Sequence, residues 1–178
     1  MIYKIIIVTG SKKWKDRKVI HEVLDETLEE LHSQGFGMEV HVGDASGADQ
    51  ITHEWVAEKN GGIFVRSDKF RKITGRVVDI ETFNARWNHC SSSCGSKANV
   101  HMKLNRNHEL YCPSAGMRRN AIMVARGGYR CLAFILDCSS GSTECARMAE
   151  KAGIETRRYR QGRLPADSRR VDKPGSSR

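Results

Sequence analysis

Three short segments of the chain combine glycine with small hydrogen-bonding side chains, a composition typical of anion-binding loops. They read TGSKKWKD at residues 9–16, GDASGAD at residues 43–49 and DCSSGST at residues 137–143. Glycine lets the backbone approach a ligand closely, and free N–H groups at the start of a following helix attract anions. Any one of these segments is equally typical of an ordinary turn or helix cap. The three together favour a site for a phosphate-bearing ligand.

A fourth segment, AGMRRNAIMV, adds side chains that bind anions directly. It places Arg118, Arg119 and Asn120 at the start of a predicted helix. A guanidinium group can bind a phosphate or carboxylate through two parallel hydrogen bonds, and an amide can recognise a polar ligand edge. The alternative for either arginine is a surface salt bridge.

A polar stretch before that helix contains three cysteines and three histidines, which indicates a metal site. Cys90 and Cys94 are separated by three residues, His108 and Cys112 show the same spacing, and His101 lies between the two pairs. In a reducing compartment, thiolates with an imidazole suit tetrahedral zinc, which would stabilise a stretch so poor in apolar residues. The predicted ligands are the three cysteines and one histidine. The alternative is a flexible basic loop with incidental cysteines.

Short apolar runs alternate with amphipathic stretches, and these elements must position the polar segments. Strands are predicted at residues 2–8, 38–43, 63–67, 131–137 and 154–159. Helices are predicted at residues 16–35, 47–62, 114–128 and 142–153. This alternation predicts an α/β fold, a Rossmann-like three-layer sandwich with a mainly parallel sheet. Ligands of such sheets bind at the carboxyl ends of the strands, where the polar segments stand.

Length and charge indicate one domain with basic additions. A chain of 178 residues with 39% hydrophobic residues can bury one core. We predict a single domain over residues 1–160, an irregular insertion at 68–112 that carries the metal-binding element, and a basic disordered tail at 161–178. Residues 66–119 and 157–178 carry net charges of +7 and +6 against +9 for the chain. They favour solubility, or a weak contact with nucleic acid.

Four segments of the chain, in order, resemble the SLOG superfamily of Rossmann-like domains, which is related to the LOG phosphoribohydrolases and the DprA recombination mediator. They read VTGSKKWKD, HVGDASGADQITHEWVAEKNG, AGMRRNAIMV and LAFILDCSSGSTECARMAEKAGI. The small stand-alone branch of actinobacteria and their phages is the most similar. The resemblance covers most of residues 1–157, apart from the stretch between the third predicted strand and Pro113. It implies a pocket for a nucleotide or nucleotide-derived ligand.

Carried onto this chain, the resemblance implies a set of small, acidic and cationic pocket residues: Gly10, Ser11, Gly43, Asp44, Gly47, Asp49, Arg119, Asn120, Ser140, Gly141, Ser142 and Thr143. We add Arg118, and also Trp14, whose ring can stack on a base if it is not part of the core. Similarity to Cys/His insertions in the same branch favours His101 over His108 as the fourth zinc ligand. No organic cofactor is implied.

One departure from the LOG enzymes leaves catalysis open. Those enzymes carry a PGGxGTxxE segment whose glutamate helps to cleave the N-glycosidic bond of nucleoside monophosphates. Here Ala146 stands three positions after Thr143, where that glutamate is expected, and Glu144 would point about 200° away around a helix. Asp44 or Asp49 can still serve an unrelated hydrolytic mechanism.

The favoured function is therefore a sensor or sequestering protein that binds a nucleotide-derived ligand. The alternatives are a nucleotide N-glycosidic hydrolase of LOG type, and a DprA-like nucleic-acid binder that uses the basic insertion and tail. No run approaches the roughly 20 apolar residues of a membrane span, so we expect a cytoplasmic protein of a bacterial or phage-infected cell. We also expect a homo-oligomer.

Overall fold

The computed structural model describes residues 2–61, 77–90, 94, 101–136 and 139–160 of the chain. Within them lie four helices: α1 (Arg17–Ser33), α2 (Ala48–Lys59), α3 (Ala115–Ala125) and α4 (Ser140–Lys151). The strands are β1 (Ile2–Gly10), β2 (Phe36–Gly43), β3 (Val78–Phe83), β4 (Lys103–Leu104), β5 (Leu110–Tyr111), β6 (Arg130–Phe134) and β7 (Glu155–Tyr159).

Five of these strands form one parallel sheet in the order β3-β2-β1-β6-β7. Helices α1 and α2 pack on one face of the sheet, and α3 and α4 pack on the other. Both faces of β1 are therefore buried: Ile6 and Val8 face the first helix pair, and Ile7 faces the second. This explains why β1 is apolar without alternation. The predicted Rossmann-like α/β fold is confirmed.

The longest helix shows why the sequence forms these elements. Its buried face consists of Val19, Ile20, Val23, Thr27, Leu24, Leu28 and Leu31, a spacing of three and four residues. The Asp16 carboxylate accepts a hydrogen bond from the Val19 N–H at 3.2 Å and caps the first turn. Gly35, with φ of 80°, follows the last turn and allows the chain to reverse into β2. None of the helices in the described ranges is long and apolar enough to cross a membrane.

Three strands lie inside the stretch 68–112 that was expected to be irregular. They are β4 and β5, which form a short hairpin, and β3, which forms the sheet edge at Val78–Phe83. Val78 and Ile80 pack into the core, whereas Asp79 and Glu81 alternate with them, so the strand lacks the continuous apolar run by which the others were recognised. The strand predicted at 63–67 and the tail at 161–178 lie outside the described residues.

The strand order creates the place for a ligand. The connection from β1 leads through α1 to β2 on one side, whereas β6 lies on the other side of β1. Chain connections thus diverge from the sheet between β1 and β6. A crevice is expected at the carboxyl ends of the strands at such a switch point.

At the opposite end of β6, a buried arginine ties the sheet to α1. Arg130 is 2% exposed, and its two Nη atoms each donate to a carboxylate oxygen of Glu30 at 2.8 Å. The Nε atom of Arg130 lies 3.2 Å from Oε1 of Glu155. A buried guanidinium is tolerated only while such partners remain.

Replacement of Glu30 by Gln should lower the free energy of unfolding by about 1.5 kcal/mol near pH 7, the lower end for a charged hydrogen bond because Glu30 is partly exposed. The hydrogen bonds from Arg130 lower the pKa of Glu30 below 4.5. Glu30 therefore contributes stability above pH 4.5 that is lost as the pH falls through its pKa in the folded protein. Urea denaturation at several pH values should show the difference between wild type and variant shrinking on acidification.

The control for this experiment is Glu29→Gln, which removes an exposed carboxylate from the same turn of α1. It should change stability by less than about 0.5 kcal/mol. Equal effects of the two substitutions, or a Glu30 effect independent of pH, would contradict the assignment.

Candidate functional site

Ser11 joins the carboxyl ends of β1 and β6. Its N–H donates to the carbonyl oxygen of Phe134 at 2.9 Å, and its hydroxyl accepts from the N–H of Leu136 at 2.8 Å. Its carbonyl oxygen accepts from the N–H of Ala48, the first residue of α2, at 3.3 Å. Ser11 is 3% exposed, so its main contribution in this structure is to hold three chain segments together.

The glycines of the first two loops are required by close approach. A Cβ atom at Gly10 would lie 2.3 Å from the Cβ of Ala48, and one at Gly47 would lie 2.4 Å from the carbonyl oxygen of Ser11. Gly47 also has φ of 75°, which side chains rarely allow. These contacts draw the start of α2 against the loop after β1.

A group of charged contacts around Arg119 joins the loop after β2 to α3. We call Arg119, Asp44 and Asp49 the Arg119 cluster. Arg119 is 9% exposed, and its Nη1 atom donates to Oδ2 of Asp49 at 3.3 Å, while its Nη2 atom lies 3.8 Å from Oδ1 of Asp44. The guanidinium occupies the space above Gly43, where a Cβ would fall 1.0 Å from Nη1. The Oδ2 atom of Asp49 also accepts from the N–H of Ala45 at 3.2 Å. Only a glycine at position 43 therefore leaves room for the guanidinium of Arg119.

Within this Arg119 cluster, Asp49 and Arg119 are buried, whereas Asp44 is exposed. Burial raises the pKa of Asp49, although the guanidinium of Arg119 and the hydrogen bond from Ala45 act in the opposite direction. The Nε atom of Arg119 is buried and has no hydrogen-bond partner among the described residues.

Asn120, the residue after Arg119, connects the Arg119 cluster to α4. The Nδ2 atom of Asn120 donates to the carbonyl oxygen of Gly141 at 3.3 Å. No described side chain caps the N-terminus of α4, and Ser140 and Gly141 in its first turn are exposed. The first N–H groups of a helix have no acceptor within the helix and carry its positive dipole end. Thr143 is directed back into the turn, because its hydroxyl donates to the carbonyl oxygen of Ser139 at 2.8 Å.

Most of the candidate ligand residues therefore lie at one edge of the sheet. We call this edge the carboxyl-end rim, which consists of residues 10–12, 43–49, 119–120 and 139–143. It contains Gly10, Ser11, Gly43, Asp44, Gly47, Asp49, Arg119, Asn120, Ser140, Gly141, Ser142 and Thr143. Among them, Asp44, Ser140 and Gly141 are exposed, whereas Asp49 and Ser142 are buried.

Two candidates are directed away from this rim. Trp14 is 2% exposed, packs edge-on against Phe134 at 5.5 Å between ring centroids, and donates from Nε1 to the carbonyl oxygen of Asp16. Its ring is a core element here and presents no face to a ligand. Arg118 is directed towards the cysteines, because consecutive residues of a helix point about 100° apart.

The structure brings Cys90, Cys94, His101 and Cys112 together, with all ligand atoms within 4.8 Å of one another. We call these residues the Cys/His cluster. The Sγ atoms of Cys94 and Cys112 are 3.9 Å apart, and Nε2 of His101 lies 3.2 Å from Sγ of Cys112. Tetrahedral zinc with ordinary bond lengths requires about 3.8 Å between sulfurs and about 3.5 Å between sulfur and nitrogen. The cluster is compatible with a bound metal ion.

The other histidine candidate, His108, lies outside this cluster. It is exposed in the turn between β4 and β5, with φ of 60° and its N–H bonded to the carbonyl oxygen of Asn105. The β4–β5 hairpin carries Cys112 back beside the other ligands. Spacing along the chain did not separate His101 from His108, because a hairpin brings residues together that are distant in sequence.

Arg118 supports the cluster from the helix that also carries Arg119. Its Nη1 atom donates to Sγ of Cys94 at 2.5 Å and of Cys112 at 3.0 Å, and its Nη2 atom donates to the carbonyl oxygen of His89 at 2.6 Å. With a metal ion bound, the three cysteines would be thiolates, and this guanidinium would offset their excess negative charge.

Trp87, which no sequence motif indicated, lies against Lys12 of the rim. The Nζ atom of Lys12 lies 4.8 Å from the centroid of the Trp87 ring. Trp87 is partly buried against the Cys/His cluster, three residues before Cys90. That short distance from a predicted metal ligand is the signal that would have drawn attention to it.

Comparison with known proteins agrees with the Rossmann-like fold. Residues 4–64 match the family model described as the YspA, cpYpsA-related SLOG family. The chain is 32% identical to the Gene 61 protein of Mycobacterium phage D29 over 149 residues. This aligned region covers 84% of this chain and 90% of the phage protein. No solved structure matches the chain significantly.

Replacement of Gly43 by Ala should displace the guanidinium of Arg119 and leave the buried carboxyl of Asp49 without its cationic partner. We expect the free energy of unfolding to fall by about 3 kcal/mol, the usual cost of breaking a buried ion pair. Chemical denaturation measures this loss. The matched control is Gly141→Ala, because a Cβ at Gly141 meets no atom within 4 Å and Ala favours a helix. A Gly43→Ala variant as stable as Gly141→Ala would contradict the described contact between Arg119 and Asp49.

Proposed function

The chain belongs to the YspA, cpYpsA-related SLOG family, and from that premise we propose that it binds a nucleotide or nucleotide-derived ligand at the carboxyl-end rim. The observation that carries the proposal is that two consecutive residues of α3 reach different segments. Arg119 donates a hydrogen bond to Asp49, which follows β2, and Asn120 donates one to the first turn of α4. Segments distant in the chain thereby form one polar edge. The protein acts as a sensor of this ligand or sequesters it.

The phosphate of the ligand binds at the N-terminus of α4. Exposed Gly141 leaves open space above the first turn, where a Cβ would meet nothing within 4 Å. The N–H groups and the dipole of the helix favour an anion there. The guanidinium of Arg119, whose buried Nε atom has no hydrogen-bond partner among the described residues, adds positive charge at the same edge.

The ribose of the ligand binds at Asp44. This side chain is exposed, and its Oδ2 atom accepts a hydrogen bond from the backbone N–H of Ala85 at 3.1 Å. A carboxylate fixed beside a phosphate site can accept hydrogen bonds from ribose hydroxyls, as acidic residues do in dinucleotide-binding folds. The carboxylate of Asp44 and the guanidinium of Arg119, at one edge, therefore match the ribose hydroxyls and the phosphate of a ribose phosphate.

Binding without LOG-type hydrolysis is favoured by the composition of α4. Ala146 stands where the LOG glutamate is expected, and it is completely buried. Glu144 is engaged with Arg147, with 3.6 Å between the charged atoms. The described part of α4 therefore offers no carboxylate in the place that such chemistry requires.

Gly141→Asp tests the phosphate site without weakening the fold. An aspartate in the first turn of α4 favours the helix dipole but repels an anionic ligand. We expect wild type and Gly141→Ala to be stabilised against heat by ribose 5-phosphate and to release a bound nucleotide when denatured, as mass spectrometry would detect. Gly141→Asp should bind at least about tenfold more weakly while remaining as stable as Gly141→Ala.

Two results would contradict the proposal. The first is a wild-type protein that releases no nucleotide and shows no thermal shift with ribose 5-phosphate. The second is equal binding by Gly141→Asp and Gly141→Ala, since an anion at the first turn must sense the added charge.

The second part of the proposal is that the Cys/His cluster holds one structural zinc ion. Three cysteines and a histidine form a closed ligand set, and sulfur-rich tetrahedral sites select zinc. Zinc would hold the β4–β5 hairpin and the chain around Cys90 against the start of α3, where Arg118 donates to two of the sulfurs. Its part in the molecule is stability rather than chemistry.

Cysteine alkylation and metal analysis test this zinc site. Burial raises the pKa of Cys145 to about 11 and also raises that of Cys131, so both stay as unreactive thiols near pH 7. We expect one zinc ion per chain, and alkylation of Cys90, Cys94 and Cys112 only after chelation. Mass spectrometry of peptides reports each cysteine separately.

Cys112→Ser should lose the metal, whereas the control Cys131→Ala should retain it, because Cys131 lies in the core between the sheet and α4. Rapid alkylation of the three cluster cysteines before chelation, or equal zinc content in both variants, would refute a zinc site here.

A further inference from the structure

Trp87 stands where the carboxyl-end rim meets the Cys/His cluster. A Cβ at Gly116, in the first turn of α3, would lie 3.4 Å from Cη2 of the Trp87 ring. The exposed side chain of Lys12, in the loop after β1, places its ammonium group 4.8 Å from the ring centroid. The ring therefore touches two elements that also contribute to the rim.

The backbone around Trp87 is held at both ends. Its carbonyl oxygen accepts a hydrogen bond from the N–H of Cys112 at 2.6 Å. Two residues earlier, the N–H of Ala85 donates to Oδ2 of Asp44, the proposed ribose partner, at 3.1 Å. The segment is thus anchored to the metal cluster on one side and to the rim on the other.

Trp87 differs in exposure from the other two tryptophans. Trp14 and Trp55 are 2% and 1% exposed and belong to the main core. Trp87 packs against Ala115 and the cluster cysteines on one side and remains partly exposed. Its companion on the solvent side is Lys12, a long side chain that can move at little cost.

We propose that Trp87 is the platform on which the base of the bound nucleotide stacks. This inference rests on the proposed function and narrows it, because a ring beside a ribose phosphate site selects ligands that carry a base. Aromatic side chains bind bases through their faces with little dependence on base identity. Lys12 leaves the ring when the base arrives, and its ammonium group is then free to pair with phosphate.

The test compares a nucleoside monophosphate with the same ligand lacking its base. AMP and ribose 5-phosphate are titrated by calorimetry into wild type, Trp87→Leu and Trp87→Phe. We expect Trp87→Leu to bind AMP about tenfold more weakly with unchanged binding of ribose 5-phosphate. Trp87→Phe, which keeps an aromatic face, should bind AMP within about threefold of wild type.

Intrinsic fluorescence of the wild-type protein gives a second measurement that needs no variant to fold. AMP should quench tryptophan emission and ribose 5-phosphate should not, because only a base would stack on Trp87, while Trp14 and Trp55 are buried. Absence of this difference would overturn the inference.

The outcomes separate this inference from the proposed function. If wild type binds ribose 5-phosphate and Trp87→Leu binds AMP as wild type does, stacking is overturned and the rim remains a phosphate site. Equal weakening of both ligands by Trp87→Leu would also overturn stacking, since it would show that Trp87 only supports the rim. If wild type binds neither ligand, the proposed function itself fails.

Discussion

The buried contact between Arg119 and Asp49 is the interaction on which the rest of the functional edge depends. It joins α3 to the loop after β2, and it exists only because Gly43 has no side chain. A guanidinium in so buried a position must keep its carboxylate partners, so this contact sets the distance between the two segments. Through the next residue, Asn120, the same helix also determines where the first turn of α4 lies.

Helix α3 also joins the rim to the Cys/His cluster. Arg118 donates to two cluster sulfurs, whereas Arg119 faces the acidic loops. A change that moved the cluster would move the first turn of α3 and, with it, the guanidinium of Arg119. With the proposed zinc ion bound, the cluster would stabilise a stretch that has little apolar core, and Arg118 links that stretch to a helix of the proposed ligand site.

The fold was predictable where local pattern and burial coincide. The apolar run of β1 and the three-and-four spacing of α1 each reflect the side of the element that the core covers. Strand β3 was not recognised because Asp79 and Glu81 interrupt its apolar pattern, although Asp79 is itself buried in the structure. The cysteine ligands were recognisable from residue type, since few other arrangements place such groups together in a polar stretch.

By itself, the sequence determined which chemistry is present: glycine and hydroxyl loops at strand ends, a cationic helix start, and a thiolate and imidazole set. Only the tertiary structure decided which member of each group is used. It directed Arg118 to sulfur and Arg119 to carboxylate, chose His101 over His108, and placed Trp14 in the core and Trp87 beside the rim. The physical reason is that residue type and local periodicity specify what a side chain can bind, whereas its partner depends on contacts between segments far apart in the chain.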